Sequence, residues 1–110
     1  MFKVGQGICG RTKFKDGVMS QKIRPYLIAT VNAEYIEVLT VSTVKGKERK
    51  LAFPTNMKIE KYKPPFLKSS FVKLDSLTRI NKLEWENFRI LHNGEILNRI
   101  ELDTIISKIK

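Results

Sequence analysis

The sequence predicts a mainly β fold that ends in one α-helix. Apolar residues alternate with polar ones, or form short runs between turn residues, through most of the first 80 positions, which is typical of a meandering antiparallel sheet. The last dozen residues instead carry apolar side chains mostly on one helical face. A length of 110 residues suits one hydrophobic core, so residues 1–110 are expected to form a single domain of six or seven strands.

The expected strands are separated by polar loops and turns. They are residues 6–13, 24–31, 35–44, the short pair 51–53 and 57–60, then 70–75, 78–81 and 88–91. The strand at 24–31 is almost entirely apolar after Pro25, which predicts a central position covered on both faces. Asn32 to Glu34 should turn the chain into a hairpin with the next strand. Pro54 indicates a sheet edge, because proline cannot donate to the ladder.

The C-terminal segment has the pattern of an amphipathic helix. Asn98 is the expected N-cap, and Glu101 stands three residues later, as in a capping box. Its apolar side chains are Ile100, Leu102, Ile105, Ile106 and Ile109. This helix is expected to cover the sheet or a partner protein. Two polar stretches, residues 14–22 and 45–50, are expected to be exposed loops.

Positive charge is the strongest compositional signal. The formal net charge is +10, and residues 1–79 carry 16 of the 21 basic residues but only 6 of the 11 acidic ones. A basic field of this size attracts polyanions, so nucleic acid, an anionic membrane surface or an acidic protein are the candidate partners. Nucleic acid is the interpretation that we favour.

Several other classes of protein are disfavoured. No stretch approaches the roughly 20 apolar residues of a membrane span, and the first ten residues lack the apolar core of a signal peptide. Cys9 is the single cysteine, so no disulfide can form within the chain, and no paired Cys/His spacing indicates a zinc site. A cytoplasmic protein that uses no metal and no cofactor is therefore expected.

Three motifs are better explained by structure than by chemistry. The glycines of residues 5–10 spell a dinucleotide-binding pattern, but a strand and not a helix is expected to follow them, so turn or bulge positions are favoured. His92 precedes Asn93-Gly94, a strong turn signal, and has no second histidine to assist it. Cys9 is expected to be a small core residue and not a nucleophile.

A candidate site is predicted where two strands of the hairpin end. Arg24 begins one strand, and Ser42 and Thr43 finish the next, so antiparallel pairing should bring them together. A rigidly held guanidinium suits a phosphate group. Lys73 and Asp75 are two residues apart on an expected strand, which would put a cation and a carboxylate on one face. Solvated surface charges are the alternative explanation.

Three segments resemble the MazF/PemK family of toxins, in the same order along the chain. They are KIRPYLI at residues 22–28, LTVST at 39–43 and SFVKLDSLTRINK at 70–82. The chain differs from the family pattern in having Lys73 where arginine is usual and Ser42 where threonine is usual. Thr78 and Arg79 invert the usual order.

The resemblance implies an SH3-like barrel that forms a homodimer, cleaves single-stranded RNA and is silenced by an antitoxin protein seated in the RNA groove. It implies Arg24, Ser42 (or Thr43 in the other register), Lys73 and Asp75 as catalytic residues. The loop at 14–22 corresponds to the family's RNA-covering loop. The residues expected to bind RNA are Lys13, Phe14, Lys15, Lys22, Lys45, Lys47 and Arg49.

The expected reaction is metal-independent attack of a ribose 2′-hydroxyl on the adjacent phosphate. Arg24 and Ser42 would stabilise charge, while Asp75 and Lys73 would transfer protons. Two alternatives remain at this stage: a barrel that binds nucleic acid without cutting it, and a toxin that acts on a topoisomerase.

Overall fold

Seven β-strands and one α-helix form the regular structure of residues 1–12 and 22–109, the part of the chain that the computed structural model describes. The strands are β1 (Gly7–Gly10), β2 (Arg24–Val31), β3 (Tyr35–Thr43), β4 (Asn56–Ile59), β5 (Ser70–Lys73), β6 (Thr78–Asn81) and β7 (Phe88–Ile90). The helix α1 spans Arg99–Ile109, and short 3₁₀ helices span Glu48–Ala52, Lys82–Asn87 and His92–Gly94. None of these helices is long and apolar enough to cross a membrane.

All the strands belong to one antiparallel sheet, which confirms the mainly β prediction. The strand order is β4-β5-β3-β2-β1-β7, and β6 pairs with the first half of β3. Within the described residues no ladder joins β4 to β7, so the sheet stays open. The closed barrel that the family resemblance implies is therefore not formed by strand pairing.

The segment that follows β4 packs its side chains against β1 and forms no ladder with it. After β4 the chain returns toward β1, where a Cβ atom on Gly7 would lie only 2.8 Å from Cγ of Pro65. Phe66 follows and is buried in the core. Pro64 and Pro65 have no N–H to offer to a neighbouring strand, so this segment covers the gap without extending the sheet.

Two apolar clusters lie on opposite faces of the sheet. One contains Leu27, Leu39, Val41, Ile59, Phe66, Val72, Leu97, Leu102 and Ile105. The other contains Ile8, Tyr26, Ile28, Ile36, Val38 and Ile80. Because consecutive residues of β2 enter different clusters, this strand is buried on both faces, as its sequence predicted.

The β2–β3 hairpin forms where it was predicted. The side-chain Oδ1 of Asn32 accepts hydrogen bonds from the backbone N–H groups of Glu34 and Tyr35, both at 2.9 Å. Such side-chain capping of a turn is the usual reason for asparagine at this position. The bounds of β2 and β6 match the predicted ones, while β3 ends at Thr43, one residue early.

The predicted strand at 51–53 was wrong, and the predicted first strand, 6–13, was too long. Residues 51–53 do not form a strand, because the chain turns through the 3₁₀ helix Glu48–Ala52, and the side chain of Asn56 donates a hydrogen bond to the Lys50 carbonyl. The same helix takes up half of the basic segment expected to be a loop. The first strand ends at Gly10, which pairs with Arg24, the first residue of β2.

Helix α1 begins as predicted but uses its glutamate differently. Asn98 Oδ1 accepts hydrogen bonds from the N–H groups of Ile100 at 3.1 Å and Glu101 at 3.2 Å, so the N-cap is confirmed. The Glu101 carboxylate accepts from the backbone N–H groups of Glu60 and Lys61. It therefore anchors the segment after β4 instead of closing a capping box.

We expect Ile105→Ala to lower the free energy of unfolding by about 2–5 kcal/mol, because the side chain is fully buried between α1 and the sheet. Ile100→Ala on the same helix is the matched control. Its side chain is 74% exposed, so the change should stay within about 0.5 kcal/mol. Urea unfolding followed by circular dichroism measures both. Equal losses would show that α1 does not pack as described.

Candidate functional site

A positively charged hollow of about 280 Å³ lies where β2 begins and β3 ends. Its lining residues are Lys22, Ile23, Arg24, Pro25, Thr40, Val41, Ser42, Thr43, Lys47 and Lys73. We call this the cationic hollow. Four of these residues are lysine or arginine, three carry hydroxyl groups, and no carboxylate lines it among the described residues. Its chemistry suits a phosphate or another anion.

Arg24 and Ser42 meet because of the register between β2 and β3. Tyr26 pairs with Thr40 in this ladder, and continuing the antiparallel register brings Arg24 opposite Ser42. Both residues line the cationic hollow, so the predicted proximity is confirmed. Arg24 is exposed, and its planar guanidinium can form paired hydrogen bonds with phosphate oxygens.

Ser42 and Thr43 differ in which side of β3 they face. The Ser42 hydroxyl accepts a hydrogen bond from Lys47 Nζ at 2.8 Å. Thr43 follows it on the strand and so faces the side of Val41, where it also lines an apolar pocket with Phe66. Of the two alternatives left by the sequence, both line the cationic hollow, and Ser42 is the one that is hydrogen-bonded to a lysine there.

Lys73 ends β5 and projects away from the core. Its neighbour Val72 pairs with Val41 and enters the apolar cluster, so Lys73 lies on the other face, which Thr40 and Ser42 share. The side chain is half-buried.

Burial lowers the pKa of Lys73, and three neighbouring cations lower it further. These are Lys50, Lys47 and Arg24, in decreasing order of effect, while the carboxylate of Asp75 acts in the opposite direction. Both burial and like charges disfavour the protonated amine. Lys73 therefore has a larger neutral fraction near neutral pH than an ordinary lysine does.

The prediction that Asp75 lies on a strand, on the same face as Lys73, was wrong. Because β5 ends at Lys73, Asp75 lies in the following turn, exposed, and it does not line the cationic hollow. Ser76 explains why the strand stops: its hydroxyl donates to the Lys73 carbonyl at 2.6 Å and accepts from the Thr40 N–H at 2.8 Å. The charge of Asp75 raises the Lys73 pKa.

The residues predicted to bind RNA fall into three groups. Lys22 and Lys47 line the cationic hollow. Lys45 and Arg49 are exposed but are not part of its lining. Lys13, Phe14 and Lys15 lie outside the described residues.

Two residues of the site were missed by the sequence reasoning. Thr40 lines the cationic hollow, and its position two residues before Ser42 on the same strand was the available signal. Lys50 acts on Lys73 through its charge, which only the fold reveals.

Cys9 and His92 lie outside the cationic hollow. His92 is exposed in a tight turn, where its Nε2 lies 3.3 Å from a carboxylate oxygen of Glu95. This confirms the predicted turn. Cys9 is half-buried rather than a core residue, with Arg89 donating to its sulfur at 3.7 Å. Among residues 1–12 and 22–109, no three His, Cys, Asp or Glu side chains are grouped so that they could hold a metal ion.

We expect Lys50→Gln to raise the pKa of Lys73. Removing a neighbouring positive charge makes the protonated amine less unfavourable, so the shift must be upward. NMR titration of the Lys73 side chain measures it. Lys108→Gln, which removes an equal charge from the exposed side of α1, should leave the Lys73 pKa unchanged. Equal shifts in both variants would show that the local arrangement is not responsible.

Comparison of the chain with models of known protein families finds no match, and a search of curated proteins finds no significant match either. The likeness to MazF/PemK toxins therefore rests on the three short segments quoted above.

Proposed function

We propose that the protein is the toxin of a toxin–antitoxin pair, an endoribonuclease that cleaves single-stranded RNA at sequence-specific sites without a metal. The observation that carries the proposal is the convergence of Arg24, Ser42 and Lys73 in one cationic hollow. A guanidinium, a hydroxyl group and an amine of lowered pKa are the groups that transesterification of a phosphodiester needs.

In the proposed reaction, neutral Lys73 takes the proton from a ribose 2′-hydroxyl. The 2′-oxygen then attacks the neighbouring phosphorus, and the bond from phosphorus to the 5′-oxygen breaks. Arg24 stabilises the negative charge that develops on the phosphate oxygens. Lys47 delivers a proton to the leaving 5′-oxygen through Ser42, to which it is hydrogen-bonded. The products are a 2′,3′-cyclic phosphate and a 5′-hydroxyl.

Asp75 has a supporting role in this scheme. Its carboxylate is exposed and outside the lining of the cationic hollow, so it is poorly placed to accept the 2′-hydroxyl proton. Its charge raises the Lys73 pKa against the three cations that lower it. Asp75 thus limits how far the amine is deprotonated before substrate binds.

The partners follow from the same charges. An antitoxin would present an acidic segment to the cationic hollow and so exclude RNA. A homodimer is expected from the family resemblance. With a single cysteine, the chain suits a reducing cytoplasm.

A second candidate function is binding of nucleic acid without cleavage. It is favoured by the absence of a carboxylate from the described lining of the cationic hollow. Without a carboxylate, cleavage depends on Lys73 alone as the base. The same side chains would then hold phosphates without cutting the strand.

The purified protein should cut a long single-stranded RNA in EDTA, and the new ends should be a cyclic phosphate and a 5′-hydroxyl. Arg24→Ala should lower kcat on the order of 10²–10³-fold, because it removes stabilisation of the transition state. Circular dichroism should be unchanged, and RNA binding should weaken only modestly, since other cations of the hollow remain. Gel analysis with end mapping measures the products.

Arg99→Ala is the matched control, because Arg99 is exposed on α1 and pairs there with Asp103. It should cut RNA at the normal rate. If the unmodified protein leaves RNA intact at every concentration while still binding it, the second candidate function is correct. Intact RNA together with damage to DNA replication would indicate the topoisomerase alternative.

The rate of cleavage should rise with pH until the Lys73 amine is fully neutral. Since Lys50→Gln raises the Lys73 pKa, the rising limb of kcat/KM should move to higher pH in that variant. Lys73→Met should remove the limb altogether. If Lys50→Gln leaves the dependence of kcat/KM on pH unchanged, a group other than Lys73 is the general base.

A further inference from the structure

A second cavity, of about 410 Å³, adjoins the cationic hollow. The two share Ile23, whose side chain is 61% exposed. The second cavity is formed by the end of β1, from Cys9 to Arg11, and by the segment from Glu86 to Arg89 that leads into β7. Cys9 pairs with Pro25 on one side and with Arg89 on the other, so the strand ladders hold this wall beside the start of β2.

Two arginines, Arg11 and Arg89, line the second cavity. Arg11 and Arg89 are both exposed, and neither forms a salt bridge within the described residues. By contrast, Arg79 lies 4.0 Å from Glu37 and Arg99 lies 3.3 Å from Asp103. Arg89 Nη2 donates to the Cys9 sulfur at 3.7 Å, which leaves its other N–H groups, and the exposed Arg11 guanidinium, available to phosphate oxygens.

The remaining groups of the second cavity suit a nucleobase. Phe88 is half-buried and is held by an edge contact with Tyr26 at 6.0 Å between ring centroids. A Cβ atom at Gly10 would lie 2.5 Å from Cδ1 of Phe88, so only glycine leaves room for the ring there. A fixed aromatic ring can stack on an unstacked base. Glu86 and Asn87 supply an acceptor and a donor for the base edge.

We infer that the second cavity is a nucleotide subsite for single-stranded RNA. The strand would run from the cationic hollow across Ile23, with its next phosphate on Arg11 and Arg89 and its next base against Phe88. The direction of the strand rests on the proposed function. The subsite itself rests on the cavity, its two arginines and its aromatic wall.

Binding of a fluorescent oligodeoxynucleotide, which lacks the 2′-hydroxyl and cannot be cleaved, tests the two arginines. The Arg11→Ala/Arg89→Ala variant should bind more weakly, and the slope of log affinity against log salt should become shallower by about 0.7 for each phosphate that the variant no longer neutralises. Arg99→Ala/Lys108→Ala removes the same charge from α1 and should keep the normal slope. Equal weakening in the two double variants would overturn the inference.

Cys9 provides a direct report of occupancy, because it is the only cysteine and it lines the second cavity. In the unmodified protein, titration with an oligodeoxynucleotide should slow alkylation of Cys9 by iodoacetamide in proportion to the fraction of protein bound. A dinucleotide, which fills only the cationic hollow, should leave the rate unchanged. An oligonucleotide that binds without protecting Cys9 would overturn the inference. Protection of Cys9 by an acidic peptide but not by the oligonucleotide would overturn it too.

These outcomes are separate from the test of cleavage. If the protein does not cut RNA but the oligodeoxynucleotide protects Cys9, the subsite stands and the nuclease proposal fails. If the protein cuts RNA and Cys9 stays reactive, the nuclease proposal stands and the subsite fails.

Discussion

The antiparallel register between β2 and β3 is the constraint on which the site depends. Tyr26 faces Thr40 and Leu27 faces Leu39 in this ladder, so the first residue of β2 comes to lie beside the last residues of β3. A slip of one residue would turn Arg24 and Ser42 to opposite faces and would also move the apolar residues of the slipped strand into the wrong cluster. The hydrophobic pattern that fixes the core therefore fixes the cationic hollow as well.

Burial of β2 on both faces makes this register rigid. Leu27 and Ile28 are fully buried on opposite sides of the same strand, so neither side chain can leave its cluster without exposing apolar surface. Arg24 and Ser42 stand on strands of this core, and Lys73 ends a strand that pairs with β3. Lys47 comes from a turn, yet its hydrogen bond to Ser42 ties it to the same framework. Sites held by rigid elements keep their geometry better than sites on loops.

The fold and the site were predictable from the sequence to different extents. The hairpin and the proximity of Arg24 and Ser42 were predictable, because alternation and turn chemistry act between near neighbours. The position of Asp75 was not, since β5 ends where the Ser76 hydroxyl accepts a hydrogen bond from the N–H of the distant Thr40. Glu101 fitted a local capping box but binds the segment after β4 instead. These two failures share one cause, a long-range contact that outcompetes a local pattern.

Crowding of cations around Lys73 links anion binding to its proton. Without an anion, Lys50, Lys47 and Arg24 all repel a charged amine and lower the Lys73 pKa, which favours the neutral form that can accept a proton. A phosphate in the cationic hollow would oppose the field of these cations and so raise that pKa. The amine would then keep the proton that it takes from the 2′-hydroxyl, just as negative charge develops on the phosphate. By linkage, anion affinity must fall as pH rises through the pKa of Lys73, so the crowding that lowers this pKa also couples the proton of Lys73 to anion binding.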